Sequence, residues 1–337
     1  MDVTRDVRFE VDHASHLADA RQTALELAAR LGFDEDSAGR LALVVTEAGT
    51  NIVKHARGGQ LVIRVLSVAD TPVVDVLALD RGPGIADVAR SLTDGYSTAG
   101  SAGTGFGALC RLSSTFDIYS RAGAGTAVLA RVAARRAPAD ARKGLQTEGL
   151  AVAKPGEDVC GDAWAEQPRI DGTMVLVADG LGHGPGAAEA SRAAVAAFLG
   201  SRDPSPANRL QDVHLALRST RGAAAAVADV DRARGVVRFA GLGNITGAIV
   251  TPEASRQMVS RDGTAGVIAT RLPELTYPWS PDAVLVVYSD GLTSHLSLAS
   301  YPGLLQRHPS LIAGVLYRDF ARGRDDATVV VCKERAA

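Results

Sequence analysis

Apolar positions recur along this chain with two periods, and the switches between them mark out its elements. Residues 7–11 (VRFEV) alternate as a strand does. From His16 to Leu31, Leu17, Ala20, Ala24, Leu27, Ala28 and Leu31 recur at helical spacing, and Gly32 stops the run. Asp34 or Asp36 can cap a second helix that reaches about His55. Strands follow at 61–68 and 73–79, the second ending at Asp80. A glycine-rich passage from Arg81 to Gly107 leads into a short helix from about 106, and strands near 115–120 and 126–132 close the unit. This pattern predicts an α/β sandwich, with helices on one face of a mixed sheet.

Residues 134–146 lose both periods and read as a linker between domains at 1–133 and 147–337; a helical extension of the first domain is the alternative. The pattern restarts with a strand at 148–153 and an apolar strand running into Asp179. An alanine-rich helix at about 186–199 precedes an Asp-Pro-Ser-Pro break at 203–206 and a helix from Ala207 to Arg218. A hairpin at 223–230 and 235–241, strands at 245–250 and 284–288, a helix near 309–320 and a strand at 327–332 complete the unit. Many strands with few helices predict two packed sheets covered by helices. The whole reads as a two-domain α/β (α+β) chain.

Composition changes this picture little and removes some functions. A length of 337 residues favours two domains, and 46% hydrophobic residues suffice for two cores. A formal net charge of -2 and 4% aromatic residues argue against nucleic-acid binding. Cys110, Cys160 and Cys332 form no CxxC pair and read as reduced packing residues of a cytoplasmic protein. The charged, alternating start is unlike a signal peptide, and no apolar run has the length of a membrane span.

Candidate chemistry in the first unit begins on the second helix. Glu47, Asn51 and His55 are spaced by four residues and share one face. Downstream, Asp80-Arg81-Gly82-Pro83-Gly84 places a carboxylate after a strand and then a turn. Asp94-Gly95-Tyr96-Ser97-Thr98 is followed by Gly100, Gly103, Gly105 and Gly107 at the start of a helix. Glycine amides leading into a helix N-terminus suit an anion. The ordered set E-x-x-x-N-x-x-x-H, D-R-G-P-G-I, D-G-Y-S-T and G-T-G-F-G resembles the GHKL-type ATP-binding domain over about residues 5–133, and within it the anti-sigma serine kinases and RsbT-type switch kinases. The resemblance implies that Glu47 is the general base, Asn51 ligates Mg²⁺ and Asp80 reads the adenine amino group. Gly82, Gly84, Gly103, Thr104, Gly105 and Gly107 would line the nucleotide site. His55 is assigned to the helix face.

In the second unit, Asp162, Asp179, Asp290 and Asp325 each stand at a strand edge. An Asp-Gly pair alone is an ordinary turn. Four acidic stations together would repel one another unless hard divalent cations relieved the repulsion. The series C-G-D, V-A-D-G-L-G-H-G, A-G-L-G-N, Y-S-D-G-L and R-D-D-A-T resembles the PPM-type phosphatases over about residues 147–334, in the branch of SpoIIE and RsbX. That resemblance implies an αββα sandwich and a two-metal centre holding Mn²⁺ or Mg²⁺. Asp179 would be the catalytic bridging ligand, completed by the Gly180 carbonyl, with Asp290 and Asp325 on the second ion. Asp162 would act as a ligand or through water. Asp326 is assigned a secondary place, His183 lies beside the centre, and Gly241, Gly243 and Asn244 are assigned to the sheet edge. No arginine matches a phosphate-binding position.

Together the resemblances imply a bifunctional partner-switching regulator. One domain would use Mg·ATP to phosphorylate Ser or Thr of a STAS-domain antagonist, and the other would remove phosphate from the same or a sister protein. A non-catalytic nucleotide-sensing module regulating the phosphatase, or an anti-sigma factor sequestering a sigma subunit, are the alternatives. No nucleic acid or membrane partner is expected; the oligomeric state, a homodimer included, is left open.

Overall fold

The computed structural model describes residues 6–56, 58–68, 70–92, 105–135, 144–267, 272–293 and 296–335. It divides into two units, Met1–Arg142 and Lys143–Ala337.

In the first unit the elements run β1 (Val7–Glu10), α1 (His16–Arg30), α2 (Glu35–His55), β2 (Gly59–Val68), β3 (Thr71–Asp80), α3 (Val88–Ser91), α4 (Gly105–Leu112), β4 (Thr115–Ser120) and β5 (Thr126–Ala133). Asp34 starts α2: its Oδ1 accepts the Ser37 N–H at 2.7 Å, satisfying one of the helix's orphan donors. Small residues line the buried stripe of α1 (Ala20, Ala24, Ala28). They share one core with Val44, Val45 and Ile52 of α2 and with Leu61, Ile63, Val74, Val76, Val128 and Ala130 of the sheet. The sheet order is β1-β2-β3-β5-β4. It is antiparallel at every pairing rather than mixed, because two hairpins, β2–β3 and β4–β5, join through an antiparallel β3–β5 ladder.

Alternate positions of the same strands carry a buried ion triad. Asp75 is register partner to Arg64 on one side and Arg131 on the other. Arg64 Nη2 lies 2.8 Å from Asp75 Oδ2, and Arg131 Nε lies 2.5 Å from Oδ1. Burial alone would raise the Asp75 carboxyl; the Arg131 and Arg64 guanidiniums outweigh it and hold it well below the usual carboxylate range.

The second unit contains β6 (Leu145–Val152), β7 (Asp162–Arg169), β8 (Gly172–Gly180), α5 (Pro185–Gly200), α6 (Pro206–Ala216), β9 (Ala223–Asp231), β10 (Val236–Leu242), β11 (Thr246–Val250), β12 (Ser255–Met258), β13 (Leu275–Pro278), β14 (Val284–Tyr288), α7 (Pro309–Phe320) and β15 (Ala327–Glu334). Two five-stranded sheets form, in the orders β13-β10-β9-β8-β7 and β12-β11-β14-β15-β6. The period of two explains the layers. On β8 and β9, Val175, Val177, Ala224 and Ala226 pack with Leu285, Val287 and Val330 of the other sheet. Their neighbours Met174, Leu176, Ala178, Ala223 and Ala225 pack with Ala190, Ala194 and Phe198 of α5 and Leu210 and Val213 of α6. Helix α7 covers β6 and β15. The result is the expected αββα sandwich.

Strand β6 starts at Leu145, inside the stretch expected to be linker; residues 136–143 lie outside the described residues. Strands β7, β12 and β13, not expected from the sequence, are all sheet edges, where polar residues face solvent and the alternation is weak. Cys332 is buried between the sheets, and burial pushes its thiol up to about 12. Cys110, expected to be a packing residue, is exposed, because α4 presents it to the outside. Among the described residues no helix is long and apolar enough to cross a membrane.

Candidate functional site

The ends of four strands bring the acidic stations of the second unit together. Asp162 opens β7, and its register partner across the ladder is Asp179, at the end of β8. From the other sheet, Asp290 follows β14 and Asp325 and Asp326 precede β15. Glycines let these ends close. A Cβ at Gly180 would stand 2.1 Å from the Ala187 carbonyl oxygen of α5, and one at Gly291 would stand 1.9 Å from that of Asp326. The Asp-Gly dipeptides are therefore packing requirements as much as turns.

Hydrogen bonds tie the cluster across the two sheets. Ser289 Oγ donates to Asp162 Oδ2 at 2.6 Å and accepts the Thr328 N–H at 3.0 Å. Asn244 Nδ2 donates to Asp290 Oδ2 at 2.6 Å. Lys154 N–H donates to Asp326 Oδ1 at 2.8 Å, while Asp326 Oδ2 is buried with no hydrogen-bond partner. Thus Asp326, given a secondary place from the sequence, is the buried member of its pair, and Asp325 is exposed.

Burial pushes the Asp179 carboxyl up to about 9, reinforced by the like charges of Asp162, Asp290 and Asp325. Burial likewise pushes Asp162 up to about 7, with the Ser289 hydrogen bond opposing and the Asp326 charge adding to the rise. The charges that shift Asp179 most are those of Asp162, Asp290 and Asp325. Hard oxygen donors, mutual repulsion and an orphaned buried carboxylate oxygen fit divalent cations of the Mg²⁺ or Mn²⁺ kind. Among the described residues no three acidic, histidine or cysteine side chains already stand close enough to hold an ion.

A pH dependence follows. Both carboxyls have folded-state values above their ordinary value of 3.8. Without metal, the folded state therefore keeps protons that the unfolded state releases, and this contribution to stability is lost as pH rises from about 4 through about 7 and 9. A bound cation replaces those protons, and its affinity rises with pH. The stabilisation that Mn²⁺ gives should grow between about pH 5.5 and pH 8.5, read as the difference in melting temperature with and without the ion. An equal shift at both pH values would contradict the coupling.

His183 lies on the loop after Gly180. Its Nδ1 is 2.6 Å from Glu157 Oε1, so a carboxylate sets the ring's orientation.

In the first unit, α2 presents Glu47 and Asn51 half-buried and His55 exposed on the shared face. Asn51 Nδ2 is buried and has no hydrogen-bond partner among the described residues. Asp80 ends β3, and its Oδ1 accepts the N–H groups of Gly82 at 2.8 Å and Thr126 at 3.2 Å. A Cβ at Gly82 would stand 2.7 Å from Ala56 Cα, so this turn is laid directly on the C-terminal end of α2. Gly84 has φ +70 and sits against the Arg121 carbonyl. Helix α4, opened by Gly105 and containing Gly107, packs on α2. Gly103, Thr104 and the 94–98 motif lie outside the described residues. The unpartnered buried amide N–H of Asn51 fits an acceptor such as a nucleotide phosphate oxygen, while a Mg²⁺ ion would be taken by the same amide's oxygen.

Sequence reasoning missed Ser289 as a cross-sheet clamp and Asn244 as the partner of Asp290. Both belong to motifs that had been singled out, Y-S-D-G-L and A-G-L-G-N.

Comparison with known proteins divides the chain in the same sense. The histidine kinase-like ATPase domain model matches residues 9–132, and the stage II sporulation protein E (SpoIIE) model matches residues 170–335. The SpoIIE match includes Asp179, Asp290 and Asp325 but begins after Asp162. Serine/threonine-protein kinase RsbT of Bacillus subtilis (strain 168) is 34% identical over 111 residues, 33% of this chain and 84% of that protein. A chain from a structure of the bacterial stressosome, described as a modular system adapted to control secondary messenger signalling, is 28% identical at a TM-score of 0.52, with 57% of this chain covering 100% of that one. RsbX in complex with magnesium shares the fold, at a TM-score of 0.51 and 20% identity over 58% of this chain and 97% of that one.

Proposed function

We infer the function from what the chain is: it belongs to the RsbT family of serine/threonine-protein kinases through its first unit, and it joins that unit to a SpoIIE-type PPM phosphatase domain. Its enzyme class is accordingly metal-dependent protein serine/threonine phosphatase, with a kinase-type ATP-binding domain on the same chain. The finer reading is a cytoplasmic partner-switching regulator whose substrate is a STAS-domain protein. The first domain writes phosphate on a Ser or Thr of that protein, and the second removes it from the same or a sister protein. The observation that carries this is the cross-strand pair Asp162–Asp179 under the like charges of Asp290 and Asp325, on a chain whose other unit is RsbT-like.

In the phosphatase domain, Asp162, Asp179, Asp290, Asp325 and the Gly180 carbonyl would hold the divalent ions. When bound, such ions lower the pKa of a water molecule and offset the charge of the phosphate oxygens. Ser289 keeps the Asp162 carboxylate turned toward the other sheet, and Asn244 does the same for Asp290. In the kinase domain, Glu47 would accept the proton of the substrate hydroxyl and Asn51 would hold Mg²⁺. Asp80 would accept from the adenine amino group. Gly103, Thr104, Gly105 and Gly107 would cradle the phosphates, with Gly82 and Gly84 shaping the turn beneath. Positioning and charge neutralisation are most of what phosphoryl transfer needs. Two opposed activities on one site would waste ATP, so partner or nucleotide state should favour one at a time.

Incubation with γ-labelled ATP and a STAS-domain protein tests the kinase half: label should move to the partner. ATP binding with no labelled partner would instead favour a nucleotide-sensing module that regulates the phosphatase. Asn51→Asp should weaken Mg·ATP binding by about tenfold to a hundredfold in a fluorescent-nucleotide titration, the usual cost of disturbing a metal's ligand set. Phosphatase activity should be unchanged.

A further inference from the structure

We propose that Arg221 is the side chain that receives the substrate phosphate in the second unit; this rests on the phosphatase reading above. The observation is steric. Gly186 is the second residue of α5. A Cβ there would stand 2.6 Å from both Cζ and Nε of Arg221 and 2.9 Å from Nη2. The guanidinium therefore lies flat on the backbone at Gly186, occupying the space that any other residue would fill. Its Nη1 reaches toward Gly182, 3.6 Å from a Cβ at that position. The head group spans the loop that leaves Asp179 and Gly180 and enters α5.

Three further features place this cation beside the loop that leaves the acidic centre. Leu181 N–H donates to the Gly222 carbonyl at 3.0 Å, and Gly180 is register partner to Ala223, so the chain bearing Arg221 runs beside the Asp179 loop. Ala187, next to Gly186, is the residue against which Gly180 packs. Arg221 is exposed, and among the described residues no hydrogen bond or ion pair holds its guanidinium. Divalent ions would offset the carboxylates of the centre, and a phosphate dianion held there still has oxygens that need donors. A planar guanidinium with unused donors at its rim supplies the opposite charge and a bidentate geometry for phosphate oxygens. Gly186, on this account, seats it.

The test compares Arg221→Ala, Arg221→Lys and Gly186→Ala with the wild-type chain, loaded with Mn²⁺. KM for a phosphoserine peptide and Ki for inorganic phosphate are measured, and Mn²⁺ affinity is titrated separately. Arg221→Ala should raise both KM and Ki by about tenfold to a hundredfold, the range for losing a charged hydrogen-bonded contact, with Mn²⁺ affinity unchanged. Arg221→Lys should recover part of the loss. Gly186→Ala should reproduce the phosphate defect, because the new methyl meets the movable end of Arg221 and displaces it without disturbing backbone. Unchanged KM and Ki in Arg221→Ala, with the wild type active, would overturn this proposal alone. A wild-type chain that hydrolyses no phosphoserine with Mn²⁺ bound would overturn the phosphatase reading beneath it.

Discussion

Replacing Asp179 by Asn is expected to lower metal-dependent phosphatase activity about a thousandfold or more while leaving nucleotide affinity unchanged. The isosteric amide keeps the shape of the β8 terminus. It removes the one carboxylate that pairs with Asp162 across the ladder and also feels Asp290 and Asp325. That position is where a shared ligand would have to sit, and loss of a contact supplying several kcal/mol of charge stabilisation has an effect of this order. The metal-free variant should be more stable than the metal-free wild type at pH 8, because the wild type must hold a proton on buried Asp179 that the unfolded chain releases, and the amide needs none. Steady-state hydrolysis, Mn²⁺ titration and a melting curve on one preparation separate the three effects. A variant that keeps wild-type activity would remove Asp179 from the centre.

The second large effect concerns stability. Asp75→Asn should destabilise the first unit by about 3–5 kcal/mol, because it leaves the Arg64 and Arg131 guanidiniums in place without their counter-charge. The Asp75 carboxyl is held below its ordinary value. Its contribution is therefore present above about pH 4 and is lost as pH falls below that toward the folded-state value. Two units need not unfold together, so the readout is hydrogen-exchange protection of the β3 and β5 amides. Replacing all three residues with apolar ones of similar size (Arg64→Met, Asp75→Leu, Arg131→Met) should restore most of the protection. Equal protection in Asp75→Asn and wild type would show that the triad contributes nothing.

How much of this was legible beforehand depended on whether a residue's neighbours lie near it in the chain. Helices α1, α2, α5, α6 and α7 and the central strands were readable because each carries its own period. The edge strands were not. In β7, Asp162, Glu166, Gln167, Pro168 and Arg169 break the apolar alternation, and only pairing with β8 holds it as a strand. The acidic stations were readable because each sits in a short glycine-bearing motif. Their supports were hidden: Ser289 reaches Asp162 across 127 positions, and Lys154 reaches Asp326 across 172. The order of importance within Asp325-Asp326 was also hidden, since burial depends on which residue turns into the sandwich. The Arg64–Asp75–Arg131 ladder was hidden because its members are paired only by strand register, across 11 and 56 positions. Arg221 could not be found by motif at all, because its contact with Gly186 joins positions 35 apart.

The central claim is that one chain carries both the writing and the erasing activity of a partner switch. The most direct test follows γ-phosphate label on a STAS-domain protein in a single mixture with Mg·ATP and Mn²⁺, comparing wild type, Asp179→Asn and Asn51→Asp. The account predicts that label builds up at least about tenfold higher with Asp179→Asn than with wild type, because erasure is lost. It also predicts that Asn51→Asp adds none but still removes label placed beforehand. Equal, stable labelling by wild type and Asp179→Asn would contradict erasure. No labelling by Asp179→Asn, with ATP bound, would contradict writing.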